Sequence, residues 1–447
     1  MEALIKKYDI AVPRYTSYPT VPYWENDSFS VEKWKNALKS NFEKNSAISL
    51  YLHLPFCEKL CTYCACNKRI TLNHLVEMPY INALLTEWNL YLEIFGKKPT
   101  IKEVHLGGGT PTFFSAANLN LLLSNLFDKA HVANDAEMSV EVHPIYTTFE
   151  QLATLYGLGF KRLSVGIQDF DEKVQTAINR PQSFEQTKEV FDWARQVGYE
   201  SINADLVYGL PFQKIESVQN TISQMLVLRP ERVAFYAYAH VPWKSKAQRH
   251  YTEADLPEGD QKRALYEAGR KMLNEAGYLD IGMDHFALPN DSLYQAFLNK
   301  KLHRNFMGYT TQNTPTLLGL GASSISDAWT GFSQNLKTVE QYQESLQNGI
   351  LPIEKGHILD SEDLFVRQQI LNLMCQGQTT WNGEFENITQ KATERLKELE
   401  KDGLVILKDK NLQVSELGKV FLRNIAFQFD QRFWTKQKEG QTFSRAI

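Results

Sequence analysis

Residues 49–66 read SLYLHLPFCEKLCTYCAC. A β-rich apolar run ends in Pro55 and Phe56, and cysteines follow at once at 57, 61, 64 and 66. Only one other cysteine, Cys375, occurs in the chain. Thiolates gathered this densely are poor core filling; what sets them apart is soft metal binding. Cys57, Cys61 and Cys64, spaced C-x3-C-x2-C, suit three corners of a cubane [4Fe–4S] cluster and leave its fourth iron open to a ligand. A strand that hands such a loop forward from its C-terminal end is the natural opening of a β/α architecture.

Zinc is the competing reading, with Cys66 as fourth ligand. Structural zinc usually takes two separated ligand pairs that wrap a tetrahedron, whereas all four cysteines here share one loop. A disulfide framework is disfavoured by the length of the chain and by the few cysteines outside this loop. Cys375, in the run ILNLMC, reads as a buried small hydrophobe.

The 447 residues suffice for one large domain with appendages, and 43% apolar with 22% charged residues is ordinary for a globular protein. A net charge of −4 argues against a general binder of phosphate backbones. No stretch approaches the length of a membrane span, and the N-terminus lacks an apolar leader. Reduced thiols and an exposed cluster loop fit a cytoplasm, so a cytoplasmic monomer is expected, without membrane or nucleic-acid partners.

Strand-like runs lie at 49–56, 101–108, 137–144, 162–169, 201–209 and 232–239, with amphipathic helical stretches between them. Some of these stretches stop at glycine, as at Gly159 and Gly198. Six β–α units predict an α/β fold, a parallel sheet covered by helices and closed only into a partial barrel. The expected organisation is an irregular N-terminal arm over 1–44, a barrel over 45–343 and a mainly helical unit over 344–447. In that last unit, helices and a hairpin at 404–415 resemble a winged helix. The balanced charges of KATERLKELEKD favour a helical lid over a DNA reader.

Polar and glycine residues gather at the predicted strand ends, the rim where α/β barrels carry chemistry. The cysteine loop follows the first strand and GGGTPT (107–112) the second; Glu141, Gln168, Asp205 and Ala239 belong to the next four. GGGTPT is neither a Walker loop nor G-x-G-x-x-G, and its bare backbone suits an amino or carboxylate group. Asp205, between Ala204 and Leu206, needs a partner or ligand if buried. Arg180 offers a fork for a carboxylate. Asp284, His285, His303, Arg304 and Tyr309 read as substrate-facing loops.

CEKLCTYCAC, HLGGGTPT, VGIQDF, NADLVYGLP, PRYTSYPT, GMDHFA, LHRNFMGYTTQ and the final FSRAI together resemble the oxygen-independent coproporphyrinogen III dehydrogenases, radical S-adenosylmethionine enzymes of haem biosynthesis. The resemblance spans Pro13 to Ile447. It implies one [4Fe–4S] cluster on Cys57, Cys61 and Cys64 and two molecules of S-adenosylmethionine. The first would be met by Tyr51, Gly108, Glu141 and Ile325, the second by Tyr63, Gly109, Thr110, Gln168, Arg180, Asp205 and Ala239. Cys66 and Glu141 are the implied catalytic residues, Cys66 as a cysteine that does not ligate the cluster. The implied reaction uses a 5′-deoxyadenosyl radical to decarboxylate two propionates of coproporphyrinogen III to vinyl groups, with an electron donor and acceptor of unknown identity. A related haem-binding carrier, using His285 or His303, is the alternative. Two positions depart from the family pattern: His143, often acidic there, and Ala65, usually glycine.

Overall fold

The computed structural model describes residues 2–243, 245–436 and 443. Six strands run in parallel and in chain order: β1 (Ala47–Leu54), β2 (Thr100–Gly108), β3 (His131–Val142), β4 (Arg162–Gln168), β5 (Ser201–Tyr208) and β6 (Arg232–Ala237). Helices Glu77–Phe95, Ala116–Phe127, Phe149–Gly157, Phe184–Val197 and Ile215–Leu228 make the crossovers. Parallel neighbours need such crossovers, which place a helix over the sheet and bury the strands' outward side chains. The main core accordingly joins Leu50, Leu52 and Val104 of the strands to Leu84, Trp88 and Leu122 of the helices. Gly198 closes its helix in the left-handed conformation; Gly159 lies two residues beyond its helix, also at positive φ.

The sheet is larger than six strands. Residues Thr316–Leu320 form β7, parallel to β1 on its other side, and three antiparallel strands continue outward to Ile353–Ile358. Beyond β6 lie His285–Ala287 and Leu279–Gly282, also antiparallel. The twelve strands form a linear order whose ends do not pair, so the barrel is open as expected.

The arm differs from expectation. Val31–Lys44 is a helix, N-capped by Ser30, and it buries Trp34, Leu38 and Phe42 in the main core. Spaced four apart, these three give one apolar stripe on a 3.6-residue helix. Residues 13–20 are irregular, and Tyr15 and Tyr18 enter a second core with Ile370, Leu373, Leu396 and Ile425. The boundary expected at 343/344 falls inside the helix Val339–Gln347, and Ile353–Ile358 still belongs to the central sheet. The helical unit starts at Ser361–Gln376 and continues through Glu386–Lys401 and the hairpin of Val405–Lys408 and Asn411–Val414. After the hairpin come three short helical pieces, Gly418–Phe421, Leu422–Phe427 and Gln431–Thr435. Apart from Phe443, the FSRAI tail lies outside the described residues.

Candidate active site

Alternation along each barrel strand sends every second side chain inward. From β2 come Glu103 and His105, from β3 Ser139 and Glu141, from β4 Arg162 and Ser164, from β5 Ser201, Asn203 and Asp205. They line one cavity of about 450 Å³ that is floored by charge pairs and topped by the cysteine loop. On the floor, Arg162 meets Glu137 at 2.6 Å and Arg232 meets Asp291 at 2.7 Å. Glu103 accepts from Ser49 and Thr310 at 2.8 and 2.6 Å. The deep charges are thus paired or hydrogen-bonded, as burial demands.

At the mouth, Cys57, Cys61 and Cys64 are half-buried and Cys66 is exposed; all four line the cavity. The Thr110 hydroxyl lies 3.5 Å from Cys57 Sγ, and Arg180 Nη1 lies 3.5 Å from Cys61 Sγ. Burial pushes the Cys57 thiol up to about 11, with Thr110 opposing. A hydrogen bond from Cys66 draws Cys64 down, and the same contact pushes Cys66 up. Among the described residues, no three His, Cys, Asp or Glu side chains converge on one point for a single metal ion. A cubane asks less convergence, because its cysteines ligate different irons.

The glycine run approaches this loop too closely for side chains. A Cβ on Gly109 would lie 2.6 Å from the Pro55 carbonyl carbon and oxygen, and one on Gly108 would lie 2.7 Å from the His53 ring. Gly108 also has φ +116°, which only glycine takes readily. Thr110 N–H then donates to Phe56 O at 2.9 Å, locking β2's end to the loop's start. His53 is held beneath. Burial lowers its pKa to about 4, so the ring is neutral. Its Nε2 donates to Asn67 O at 2.9 Å, leaving Nδ1 to accept from Tyr51 at 3.0 Å.

Glu141 Oε1 lies 3.2 Å from His105 Nε2. Burial works against its charge, but His105 and the Gly108 backbone outweigh it and hold the carboxyl below its usual range. A carboxylate at that rim can accept hydroxyl or ammonium donors. His143, by contrast, caps the short helix Pro144–Tyr146 through Ile145 N–H at 3.3 Å. Asp205 accepts from Ser164 at 2.7 Å and Asn203 at 2.8 Å, and burial pushes it up to about 7. Gln168 ends β4 at φ +68°, a left-handed conformation that costs a non-glycine residue about 1 kcal/mol. Arg180 is only 8% exposed; Nη2 donates to Gly166 O at 2.7 Å, and the buried Nε has no partner among the described residues.

The cavity therefore brings together Cys57, Cys61, Tyr63, Cys64, Cys66, Gly108, Gly109, Thr110, Glu141, Gln168, Arg180, Asp205 and Ala239. Tyr51 and Ile325 stand outside its lining. Tyr51 is one layer back, its ring stacked 5.9 Å from that of His105, while Ile325 packs beside Trp24, Phe332 and Leu359. Of the five residues expected on substrate-facing loops, His285 and Tyr309 line the cavity. They lie on short strands, not loops. Asp284 instead pairs with Arg14 at 2.9 Å, and Arg304 donates to the backbone of Arg14 and Tyr15. His303 is buried outside the cavity lining.

The sequence reading missed Gln248, fully buried, whose amide donates to Tyr63 O at 2.8 Å and Ala239 O at 3.3 Å. It also missed His105, Ser164 and Asn203, which the period of two along β2, β4 and β5 would have exposed.

A family model described as the radical SAM superfamily matches residues 51–225, the stretch that carries the cysteine loop through β5 and its following helix. The oxygen-independent coproporphyrinogen III oxidase of Synechocystis is 38% identical over 456 aligned positions, covering 99% of this chain and 97% of that protein. The chain belongs to the oxygen-independent coproporphyrinogen III oxidase family. Its Helicobacter pylori relative is 37% identical, covering 95% of each chain. The solved radical SAM coproporphyrinogen III oxidase of Escherichia coli superposes with a TM-score of 0.89 at 37% identity, covering 96% of this chain and 98% of that one. As a radical SAM enzyme the chain takes a [4Fe–4S] cluster and S-adenosylmethionine. The residues fit both: soft thiolates on one loop, hydrogen-bond donors against two sulfurs, a side-chain-free glycine ledge and the orphaned Nε of Arg180.

Proposed function

We propose that this enzyme takes coproporphyrinogen III to protoporphyrinogen IX by oxidative decarboxylation of two propionate side chains. The observation that carries the reading is one cavity joining Cys57, Cys61 and Cys64 to the rim residues Glu141, Gln168, Arg180 and Asp205. Near full-length likeness to oxidases named for that substrate supports it. Bound at the rim, the cluster and cosubstrate supply a one-electron source and a hydrogen-abstracting radical, the chemistry a saturated propionate requires.

Cys57, Cys61 and Cys64 would hold the cluster, and Cys66 stands free beside it. A first cosubstrate would lie along Gly108 and Glu141, with Tyr51 and Ile325 behind. A second would meet Tyr63, Gly109, Thr110, Gln168, Arg180, Asp205 and Ala239. Glu141 is held anionic to accept hydroxyl or ammonium groups, and Arg180 Nε is free to donate to a carboxylate. Each propionate loses one hydrogen atom, one electron and carbon dioxide, so an unidentified acceptor must take that electron.

Anaerobic enzyme given S-adenosylmethionine, reductant, an electron acceptor and coproporphyrinogen III should release carbon dioxide and form protoporphyrinogen IX. Cleavage of the cosubstrate with no vinyl product would sink the reading.

A further inference from the structure

Each cysteine proposed to hold the cluster is anchored through its backbone by a different segment. Thr71 N–H donates to Cys57 O at 3.0 Å. Around Cys61, Asn179 Nδ2 donates to Leu60 O at 2.7 Å and Thr62 N–H donates to Ile178 O at 2.9 Å. The turn after the helix Glu172–Ala177 thus grips both flanking peptides. Cys64 is held by the segment that follows β6. Ser245 Oγ donates to Cys64 O at 3.3 Å, beside Lys68 Nζ at 2.9 Å. Gln248 Nε2 donates at 2.8 Å to Tyr63 O, the carbonyl of the peptide that precedes Cys64. Thr110 and Arg180 lie against the sulfurs of Cys57 and Cys61, whereas the neighbour of the Cys64 sulfur is Cys66, from the same loop. The placement of Cys64 against the barrel therefore depends on its backbone.

Gln248 is fully buried, and both ends of its amide are used. Besides Tyr63 O, Nε2 donates to Ala239 O at 3.3 Å, while Oε1 accepts from Val241 N–H at 2.6 Å. The segment closes around this side chain: Ser245 N–H donates to Val241 O at 2.9 Å, and Gln248 N–H donates to Ser245 O at 3.1 Å. A primary amide supplies two donors and an acceptor from one planar group, so a single side chain serves three backbone groups here. Water cannot replace it without opening the packing, and a buried carbonyl left without a donor is costly. Gln248 and Tyr63 are 185 positions apart in sequence, so the contact is a long-range tie and not local turn chemistry. Tyr63 and Ala239, the two residues whose carbonyls it joins, both line the cavity, and Gln248 itself does not.

We propose that Gln248 is a positioning residue of the reaction: it fixes the peptide before Cys64 against the chain at Ala239, and so keeps the third cluster thiolate in register with the cosubstrate rim. The proposal rests on the reading of Cys57, Cys61 and Cys64 as cluster ligands. Gln248 acts through Tyr63, Cys64 and Ala239, since it stands behind the cavity wall. Without its amide, the Cys57 and Cys61 ends of the loop stay anchored, but the peptide between Tyr63 and Cys64 is free to turn. The Cys64 thiolate and the Tyr63 side chain then no longer keep one geometry. Radical chemistry at a bound cosubstrate depends on such geometry, because a misplacement of about 1 Å can cost about 100-fold in rate.

Two variants test it. Gln248→Met keeps the length of the side chain and removes every donor and acceptor. Gln248→Glu keeps the acceptor for Val241 N–H and, as a carboxylate, offers Tyr63 O and Ala239 O no donor. In cluster-free protein, hydrogen–deuterium exchange of the peptide spanning the cysteine loop should quicken by roughly tenfold or more in both. After reconstitution the variants should keep the iron content of the wild type, because all three thiolates remain. The paramagnetic resonance lines of the reduced cluster should broaden, and the KM for S-adenosylmethionine should rise by roughly tenfold. Unchanged exchange in the loop would overturn the proposal. So would a variant whose melting temperature falls while its spectrum and KM match the wild type, or failure of both variants to fold, since either result assigns Gln248 to the fold and not to the rim. Wild-type protein that takes up no iron would count against the cluster reading instead, and the exchange comparison would still decide whether Gln248 holds the loop.

Discussion

Arg180 bridges two parts of the rim: Nη1 lies 3.5 Å from Cys61 Sγ while Nη2 donates to Gly166 O at 2.7 Å. One buried guanidinium thus fixes β4 against the cysteine loop and places a positive charge beside a sulfur that is proposed to ligate the cluster. Hydrogen bonds to cluster sulfurs raise a reduction potential by stabilising the more negative, reduced state. Arg180→Ala should keep its iron but shift the cluster midpoint downward by roughly tens of millivolts. It should also raise the KM for S-adenosylmethionine, since Nε is lost as a carboxylate donor. Arg180→Lys keeps the charge without the fork and should fall between. A redox titration followed by electron paramagnetic resonance checks the first effect; an unmoved midpoint would show that the contact does not tune the cluster.

Asp205 gives a pH dependence with a definite sign. Burial pushes its carboxyl from the ordinary 3.8 up to about 7. Between these values the folded chain holds a proton that the unfolded chain has released. The native state is thus favoured most at the acid end, and this contribution is lost as pH rises through about 7. Asp205→Asn cannot ionise, so its melting temperature should gain on the wild type between pH 5 and pH 8, while cosubstrate binding weakens. Thermal melts of the cosubstrate-free proteins across that range decide it. Parallel curves would mean that the carboxyl titrates normally.

The rim was legible in the sequence because glycines and acids interrupt otherwise apolar strands at one end. Cys57, Gly109, Glu141, Gln168 and Asp205 all announce themselves in this way, and the cavity gathers them. The inner ladder below them was written as plainly. Glu103 and His105, Ser139 and Glu141, and Asn203 and Asp205 alternate with apolar residues, but reading the strands as apolar runs passes over that period. Other features depend on tertiary closure alone. Gln248 lies in a short helical turn whose sequence says nothing of Tyr63 and Ala239. The strands from Gly331 to Ile358 are missing from the strand-like runs read in the sequence, because short, partly polar strands gain their identity from the neighbour they pair with. The helix over 31–44 was overlooked for a different reason: the prolines of the preceding segment set the expectation for the whole arm.

The arm's attachment is itself testable through Tyr15. Its hydroxyl donates to Asp430 at 2.9 Å inside the second core, and both residues are buried. Burial pushes Asp430 up to about 6, and the Tyr15 hydroxyl opposes that rise by stabilising the charged form. Tyr15→Phe removes the donor and leaves the Phe433 N–H as the nearer remaining one. The loss should cost about 1–3 kcal/mol in denaturant unfolding. The effect should be larger at pH 8, where the carboxyl is charged, than at pH 5. An equal cost at both values would mean that Asp430 does not titrate between them.

The cysteines separate by what each substitution leaves behind. Cys57, Cys61 and Cys64 are half-buried, and hydrogen-bond donors lie against the first two sulfurs. A serine at any of the three offers a hard hydroxyl in place of a soft thiolate and should remove most of the iron and all activity. Cys66 is exposed, and its thiol hydrogen-bonds Cys64 rather than being held against the barrel. Cys66→Ser should therefore assemble a cluster with an ordinary spectrum, while turnover falls because the residue faces the cosubstrate cavity. Iron and sulfide analysis of Cys66→Ser beside Cys64→Ser distinguishes the two roles. If both lost iron equally, Cys66 would be a fourth ligand, no iron would stay open to S-adenosylmethionine, and the proposed chemistry would lack its starting point.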